Sequence, residues 1–233
     1  MGALTVKLIR VVHAYVPGRV TIESDTHLVN EFAQYGKRCC CTLKEAPSVN
    51  HVDLFIQSRS GGSGISAAVV GIGASAGGLE ALEELFRNMP ADTGMAFIVV
   101  THLPPGHRSL LPELLSKVTD LPVLAAATGL EVKADHIYVS PPGGQLSIQG
   151  GRLQRLEQDP DHAPKMPINY FLRSLARDLC ERAVCIILSG TGSDGTLGLQ
   201  EIKAQAGMVM AEDPQSAKYS GMPTSALATG LVD

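Results

Sequence analysis

A serine at residue 75 lies where a run of apolar residues gives way to small residues and then to a helical periodicity. Residues 73–77 read Gly-Ala-Ser-Ala-Gly, which fits the pattern G-x-S-x-G. On a sharp turn between a buried strand and a helix, a serine projects its Oγ above the sheet, and only small neighbours permit the strained backbone. The free N–H groups and the positive dipole end of the following helix favour an oxyanion. This stretch therefore predicts a nucleophile at Ser75.

Two other interpretations fit the same stretch. The glycines within 71–77 also resemble the loop of a dinucleotide-binding domain, which needs an acidic residue at the end of the next strand to hold a ribose. That strand, predicted at 95–100, is followed by Thr101 and His102 instead. Ser75 also suits a small turn residue or a helix N-cap, which is what most serines before helices are. The stretch alone leaves the three interpretations open.

Two more side chains can complete a hydrolytic site with this serine. A serine hydroxyl needs a nearby base at neutral pH, and an imidazole oriented by a carboxylate supplies one. His102 follows a predicted strand, and Asp194 lies in the glycine-rich loop after the most continuous apolar run. Each has a simpler interpretation, because loop histidines are usually solvated and Asp-Gly is a common turn former. Glu80 and Asp213 are alternative carboxylates.

Strands and helices are predicted to alternate from residue 65 onward. The alternation predicts an α/β fold, with a doubly wound, mostly parallel sheet flanked by helices in three layers and a small antiparallel hairpin around residues 150–151. Right-handed crossovers place the carboxyl ends of the strands at one edge, where ligands bind, and Ser75, His102 and Asp194 all follow strands at that edge. Strands are predicted at 65–72, 95–100, 123–126, 135–140, 183–188 and 207–211, and helices at 79–88, 109–118, 169–182 and 196–205.

The composition excludes several classes of protein. The 233 residues, 45% of them hydrophobic, are enough for one substantial core, and a net charge of −4 leaves no basic surface for nucleic acid. The apolar runs are too short to insert into a membrane, and the first twenty residues do not resemble a secretory signal. The five cysteines show neither zinc-ligand spacing nor a disulfide framework. We therefore predict a cytoplasmic protein.

Residues 1–64 lack the regular alternation of the rest of the chain. Residues 58–64 are rich in serine and glycine, as flexible linkers are. We interpret residues 1–64 as a leader and linker, or as sequence not native to the domain. Residues 65–233 are then the catalytic domain.

Six blocks of the chain resemble, in family order, the catalytic domain of CheB-type protein-glutamate methylesterases of bacterial chemotaxis. The resemblance implies that Ser75 is the nucleophile, His102 the general base and acid, and Asp194 the carboxylate that orients it. It also implies an oxyanion donor at the backbone N–H of Thr191, and geometry suggests the N–H of Ala76 as a second. The blocks are 72–78, 101–106, 137–143, 166–171, 188–195 and 221–223.

Some positions depart from the family pattern without removing a member of the triad. The family usually has methionine at Thr191, threonine or serine at Ala76, and frequently aspartate at Asn169. It also commonly carries an N-terminal receiver domain, for which residues 1–64 are too short. The chain ends at Asp233, where the family continues into a terminal helix. We therefore expect a domain truncated at its C-terminus, within a larger protein that also carries methyltransferase and sensor-kinase modules.

The resemblance implies removal of methyl esters from glutamate side chains in the cytoplasmic domain of a methylated chemoreceptor, as part of signal transduction by phosphorelay. Deamidation of receptor glutamines is a related reaction, and no metal or organic cofactor is implied. A non-catalytic docking or regulatory module of a larger signalling protein is the alternative from another class. A nucleotide-binding domain is less well supported, because the ribose-binding carboxylate is missing.

Overall fold

The computed structural model describes residues 66–103, 109–157 and 166–233, together with two strands at 8–11 and 22–24. The described residues form ten strands and five α-helices. The strands are β1 (Leu8–Val11), β2 (Ile22–Ser24), β3 (Val69–Ala74), β4 (Ala96–Thr101), β5 (Val123–Ala125), β6 (His136–Val139), β7 (Gly144–Gln149), β8 (Arg152–Glu157), β9 (Ala183–Ile187) and β10 (Met208–Glu212). The helices are α1 (Gly78–Arg87), α2 (Leu111–Leu115), α3 (Pro167–Leu179), α4 (Thr196–Ala204) and α5 (Gly221–Leu227).

One eight-stranded sheet organises these elements, in the order β2-β1-β10-β9-β3-β4-β6-β5. The six strands from β10 to β5 are parallel to their neighbours, whereas β1 and β2 are antiparallel additions next to β10. Strands β7 and β8 form a separate antiparallel hairpin. The predicted doubly wound α/β fold, with its mostly parallel sheet and small hairpin, is confirmed.

Helices cover both faces of the parallel sheet, which produces the predicted three layers. On one face, Val70 and Ile72 of β3 pack with α1, and Phe86 of α1 meets Phe97 of β4 edge to face with ring centroids 5.5 Å apart. On the other face, strand residues pack against α3, α4 and the hairpin. Because both faces are buried, the central strands are almost entirely apolar.

Two glycines in β3 let α3 approach the sheet at backbone distance. A Cβ on Gly71 would lie 2.8 Å from Leu172 Cδ2 and 2.9 Å from Leu175 Cδ2, and a Cβ on Gly73 would lie 2.6 Å from Ile168 Cγ2. All three neighbours belong to α3. These glycines therefore serve helix–sheet packing, which accounts for them without a dinucleotide loop.

The boundaries of several elements differ from the predictions. Strand β3 begins and ends later than predicted. The helix predicted at 109–118 spans only Leu111–Leu115, and the two residues after it are exposed. Helix α5 was not predicted, since Gly221 and Pro223 in its first turn read as loop residues. Proline is nevertheless tolerated in the first turn of a helix, where its missing N–H would have no partner.

Within residues 1–64 the structure describes only β1 and β2. Strand β1 pairs with β10, with Leu8 opposite Glu212. The rest of that segment, including the serine- and glycine-rich tract and three cysteines, lies outside the described residues. The boundary at residue 65 and the leader interpretation stay predictions. None of the helices in the described ranges has the length and apolar character needed to span a bilayer.

Candidate active site

The register of two parallel strands brings Ser75 and His102 side by side. Strands β3 and β4 pair in register up to Ala74 and Thr101, so Ser75 and His102 are the next residues on adjacent strands, which lie about 4.8 Å apart. The N–H of Ser75 donates to the Ser189 carbonyl at 2.9 Å, which extends the pairing of β3 with β9. Alternation along the strands directs both side chains to the α3 face of the sheet.

The turn after Ser75 has the small residues that its geometry demands. Gly77 has a φ of 72° at the N-cap of α1, and the N–H of Gly78 donates to the Ser75 carbonyl at 2.9 Å. A Cβ on Gly190, in the loop after β9, would lie 2.9 Å from Ser75 Cβ. The backbone therefore approaches Ser75 closely from both sides and leaves its hydroxyl at the edge of the sheet.

The side chains of His102 and Asp194 lie within hydrogen-bond distance of each other. His102 Nε2 lies 2.8 Å from Asp194 Oδ2, with the histidine side chain 31% exposed and the aspartate 5% exposed. Because Nε2 faces the carboxylate, Nδ1 is the ring nitrogen available to the serine. Among the described residues, no hydrogen bond joins Ser75 Oγ to His102. Such bonds commonly tighten only when a substrate is bound.

The Asp194 carboxylate also accepts hydrogen bonds from three backbone N–H groups. Its Oδ2 accepts the N–H of Ile168 at 3.0 Å, and its Oδ1 accepts the N–H groups of Asn169 and Gly195, both at 2.9 Å. The first two donors are in the first turn of α3, whose positive dipole end stabilises the negative charge. Gly195 has a φ of 101°, so the Asp-Gly turn predicted from the sequence is present as well.

Asn169 connects the first turns of α3 and α4. Its Oδ1 accepts the N–H groups of Gly195 at 3.1 Å and Gly198 at 2.8 Å, and the side chain is buried. A neutral amide supplies these two bonds without a second negative charge beside Asp194. The departure from aspartate noted in the sequence therefore suits the site.

Two backbone N–H groups near Ser75 are candidates for an oxyanion site. Neither Ala76 N–H nor Thr191 N–H donates to a protein acceptor within the described part of the chain. The loop that carries Thr191 is fixed, because Gly190 N–H donates to the Tyr219 carbonyl and the Gly190 carbonyl accepts the N–H of Met222, each at 2.9 Å. The two donors expected from the sequence thus belong to the residue after Ser75 and to the residue after Gly190, whose backbone is restrained and approaches Ser75 closely.

Sequence reasoning missed the buried polar residues behind the loop. Glu212, 2% exposed at the end of β10, accepts the N–H of Ser189 at 2.7 Å through Oε2. Burial raises the pKa of Glu212 to about 7, and the charge of Asp213 adds to this, although the Ser189 hydrogen bond acts in the opposite direction. A carboxylate directly after a predicted buried strand was the available signal.

The alternative carboxylates are engaged elsewhere. Glu80 is exposed on α1 and pairs with Lys218, whose ammonium lowers the pKa of the Glu80 carboxyl through its hydrogen bond. Asp213 Oδ1 accepts the N–H of Gln215 at 2.9 Å. In the described ranges no group of three or more histidine, cysteine, aspartate or glutamate side chains is arranged to hold a metal ion.

Comparison with known proteins agrees with the fold described above. The family model for CheB methylesterase matches residues 70–233. An uncharacterized 104.1 kDa protein of Rhodobacter capsulatus is 38% identical over 123 residues, which are 53% of this chain and 13% of that protein. A protein-glutamate methylesterase/protein-glutamine glutaminase of Desulfotalea psychrophila is 31% identical over 173 residues, 72% of this chain and 48% of that protein.

The crystal structure of the Thermotoga maritima CheB methylesterase catalytic domain matches with a TM-score of 0.65 and 29% sequence identity, over 71% of this chain and 90% of that one. The chain spans about half the length of the curated methylesterases it matches. The resemblance inferred from the six sequence blocks is confirmed. This chain belongs to the CheB methylesterase family.

Proposed function

We propose that this chain hydrolyses γ-glutamyl methyl esters of a chemoreceptor to glutamate and methanol. The observation that carries the proposal is the placement of Ser75 and His102 on adjacent strand ends, with His102 Nε2 2.8 Å from Asp194 Oδ2. A hydroxyl, an imidazole and a buried carboxylate in this order can cleave an ester by acyl transfer.

In the acylation step, Ser75 Oγ attacks the ester carbonyl while His102 Nδ1 takes the hydroxyl proton. The backbone N–H groups of Ala76 and Thr191 bind the tetrahedral oxyanion, which is the charge that develops in the transition state. The C–O bond to the methoxy group then breaks, and His102 returns the proton to give methanol. A glutamyl ester of Ser75 remains.

In the deacylation step, water attacks this acyl-enzyme and His102 accepts its proton. Collapse of the second tetrahedral intermediate releases the glutamate side chain and regenerates Ser75. A glutamine side chain follows the same course with ammonia as the leaving group, so deamidation is a second reaction of the proposed site. In both steps Asp194 keeps the proton on Nε2 and stabilises the imidazolium.

The relatives extend well beyond the matched region, which supports the proposal that this domain is one module of a larger signalling protein. The protein substrate is then the cytoplasmic domain of a methylated chemoreceptor, and the enzyme acts in the cytoplasm. The same proposal includes methyltransferase and sensor-kinase modules as further parts of that protein.

Labelling with a fluorophosphonate, combined with methanol release from methylated receptor, tests the proposal. We expect an adduct on Ser75 and no adduct in Ser75→Ala, which should stay folded because the turn accepts small residues. His102→Ala should also lose the adduct, whereas Ser116→Ala, an exposed serine at the end of α2, should react like the wild type. Folded protein without an adduct and without methanol release would favour the docking-module alternative.

A further inference from the structure

We propose that Tyr219 is a substrate-contact residue of this site, whose ring packs against the polypeptide that carries the ester. This inference rests on the proposed function, because it assigns part of the recognition of a protein substrate to one side chain. Its support is that Tyr219 contacts both the loop after β9, which carries Thr191, and the turn after β3, which carries Ser75.

The backbone of Tyr219 is tied to the loop that carries the proposed oxyanion donor. Its N–H donates to Ser189 Oγ at 2.8 Å, and its carbonyl accepts the N–H of Gly190 at 2.9 Å. Gly190 directly precedes Thr191. The position of Tyr219 relative to this loop is therefore fixed by two hydrogen bonds.

The ring of Tyr219 lies on the turn that carries the nucleophile. Its Cδ2 is 2.8 Å from the point that a Cβ on Gly77 would occupy, and Lys218 Cβ is 2.9 Å from the same point. Gly77 directly follows Ala76, the other proposed donor. Lys218 in turn pairs with Glu80 of α1, which restrains the segment over the turn.

Tyr219 thus contacts the residue after one oxyanion donor and the residue before the other. In the proposed binding mode, the polypeptide of an ester held by the N–H groups of Ala76 and Thr191 passes close to this ring. Tyr219 is nevertheless 44% exposed, and it is the only aromatic residue among the large apolar side chains exposed in the described part of the chain. Tyrosine is enriched among the contact residues that contribute most to binding between polypeptides.

Two substrates with the same scissile bond test the inference. One is a methylated cytoplasmic fragment of a chemoreceptor, and the other is N-acetylglutamate γ-methyl ester, which has no flanking polypeptide. We expect Tyr219→Ala to lower the ratio of kcat/KM for the receptor to kcat/KM for the small ester by about tenfold, mainly through KM. The ratio should return to within about twofold in Tyr219→Phe, because the ring makes the contact.

Leu156→Ala is the matched control, since Leu156 is a large apolar residue 51% exposed on the hairpin. It should leave the ratio unchanged. An equal loss on both substrates in Tyr219→Ala would mean that the ring only supports the turn, and an unchanged ratio would mean that the substrate does not touch it; either result overturns the inference. Wild-type protein that hydrolyses neither ester would overturn the proposed function itself, before any variant is compared.

Discussion

In the proposed mechanism, the single carboxylate of Asp194 combines a catalytic task with a structural one. Its two oxygens accept three backbone N–H groups and contact His102. All four groups act as donors toward a charged acceptor, so the oxygens must remain acceptors for the arrangement to persist. The same contacts that orient His102 therefore also join the first turns of α3 and α4.

Replacing Asp194 by asparagine should damage both functions. The NH₂ group of the new amide is a donor. Facing the N–H of Ile168, it opposes another donor. Facing His102 Nε2, it favours the tautomer with the imidazole proton on Nδ1, and that nitrogen can then no longer accept the hydroxyl proton of Ser75. We expect kcat on a small ester to fall by about 10³–10⁴-fold and the free energy of unfolding to fall by about 1–3 kcal/mol. Ester kinetics and urea unfolding measure the two effects.

Asp178→Asn provides the control for that substitution. Asp178 accepts the backbone N–H groups of Gly150 at 2.7 Å and Gly151 at 2.9 Å, away from the triad. The Asp178→Asn variant should lose a similar amount of unfolding free energy and retain its ester turnover. Equal turnover in the two variants would contradict the role assigned to Asp194.

Glu212 should make stability depend on pH. Its pKa in the folded protein is raised from 4.5 to about 7, so the folded state binds this proton more tightly than the unfolded state does. The resulting stabilisation is present at low pH and is lost as pH rises toward and through 7. Glu212→Gln cannot ionise, and its carbonyl oxygen can still accept the N–H of Ser189.

We therefore expect Glu212→Gln to gain stability relative to the wild type as pH rises from 5 to 8, by about 1–3 kcal/mol at the upper end. Urea unfolding of both proteins at intervals across this range measures the difference. Parallel pH profiles for the two proteins would show that Glu212 titrates normally in the folded state.

At the scale of elements, the contact between α3 and β3 links packing to the site. Helix α3 packs closely against both Gly71 and Gly73, but different residues of the helix face the two glycines. Gly71 lies against the ends of flexible side chains, whereas Gly73 lies against Ile168, whose N–H donates to Asp194. A side chain at Gly73 should therefore displace the carboxylate, and one at Gly71 should not.

The pair Gly71→Ala and Gly73→Ala separates these two effects. Overpacking should cost each variant about 1–3 kcal/mol of unfolding free energy. We expect Gly73→Ala to lose about tenfold in kcat as well, because shifting Ile168 moves Asp194 away from His102. Thermal unfolding and ester kinetics at a temperature where both variants are folded provide the comparison. Equal kcat values would show that α3 moves without disturbing the triad.

Across the whole molecule, the positions of the candidate site residues could be predicted from where the strands end. Ser75, His102 and Asp194 could be placed at one edge because each follows an apolar run, and parallel strands share their carboxyl edge. The hydrogen bonds of Asn169, Ser189 and Glu212 could not be predicted, since each joins residues more than twenty positions apart. Periodicity reports which face of an element is buried, not which distant polar atom it meets.

The arrangement of the sheet also bears on residues 1–64. Every hydrogen bond described for the site joins residues within 66–233, whereas β1 contributes an edge by pairing with β10. We expect a chain of residues 65–233 to keep ester turnover within about threefold of the full chain, because the proposed triad and both proposed oxyanion donors are retained. Without β1, the exposed edge of β10 should promote self-association and lower the unfolding temperature. Light scattering, thermal unfolding and methanol release measure these effects, and a folded monomer that has lost its turnover would show that residues 1–64 belong to the catalytic unit.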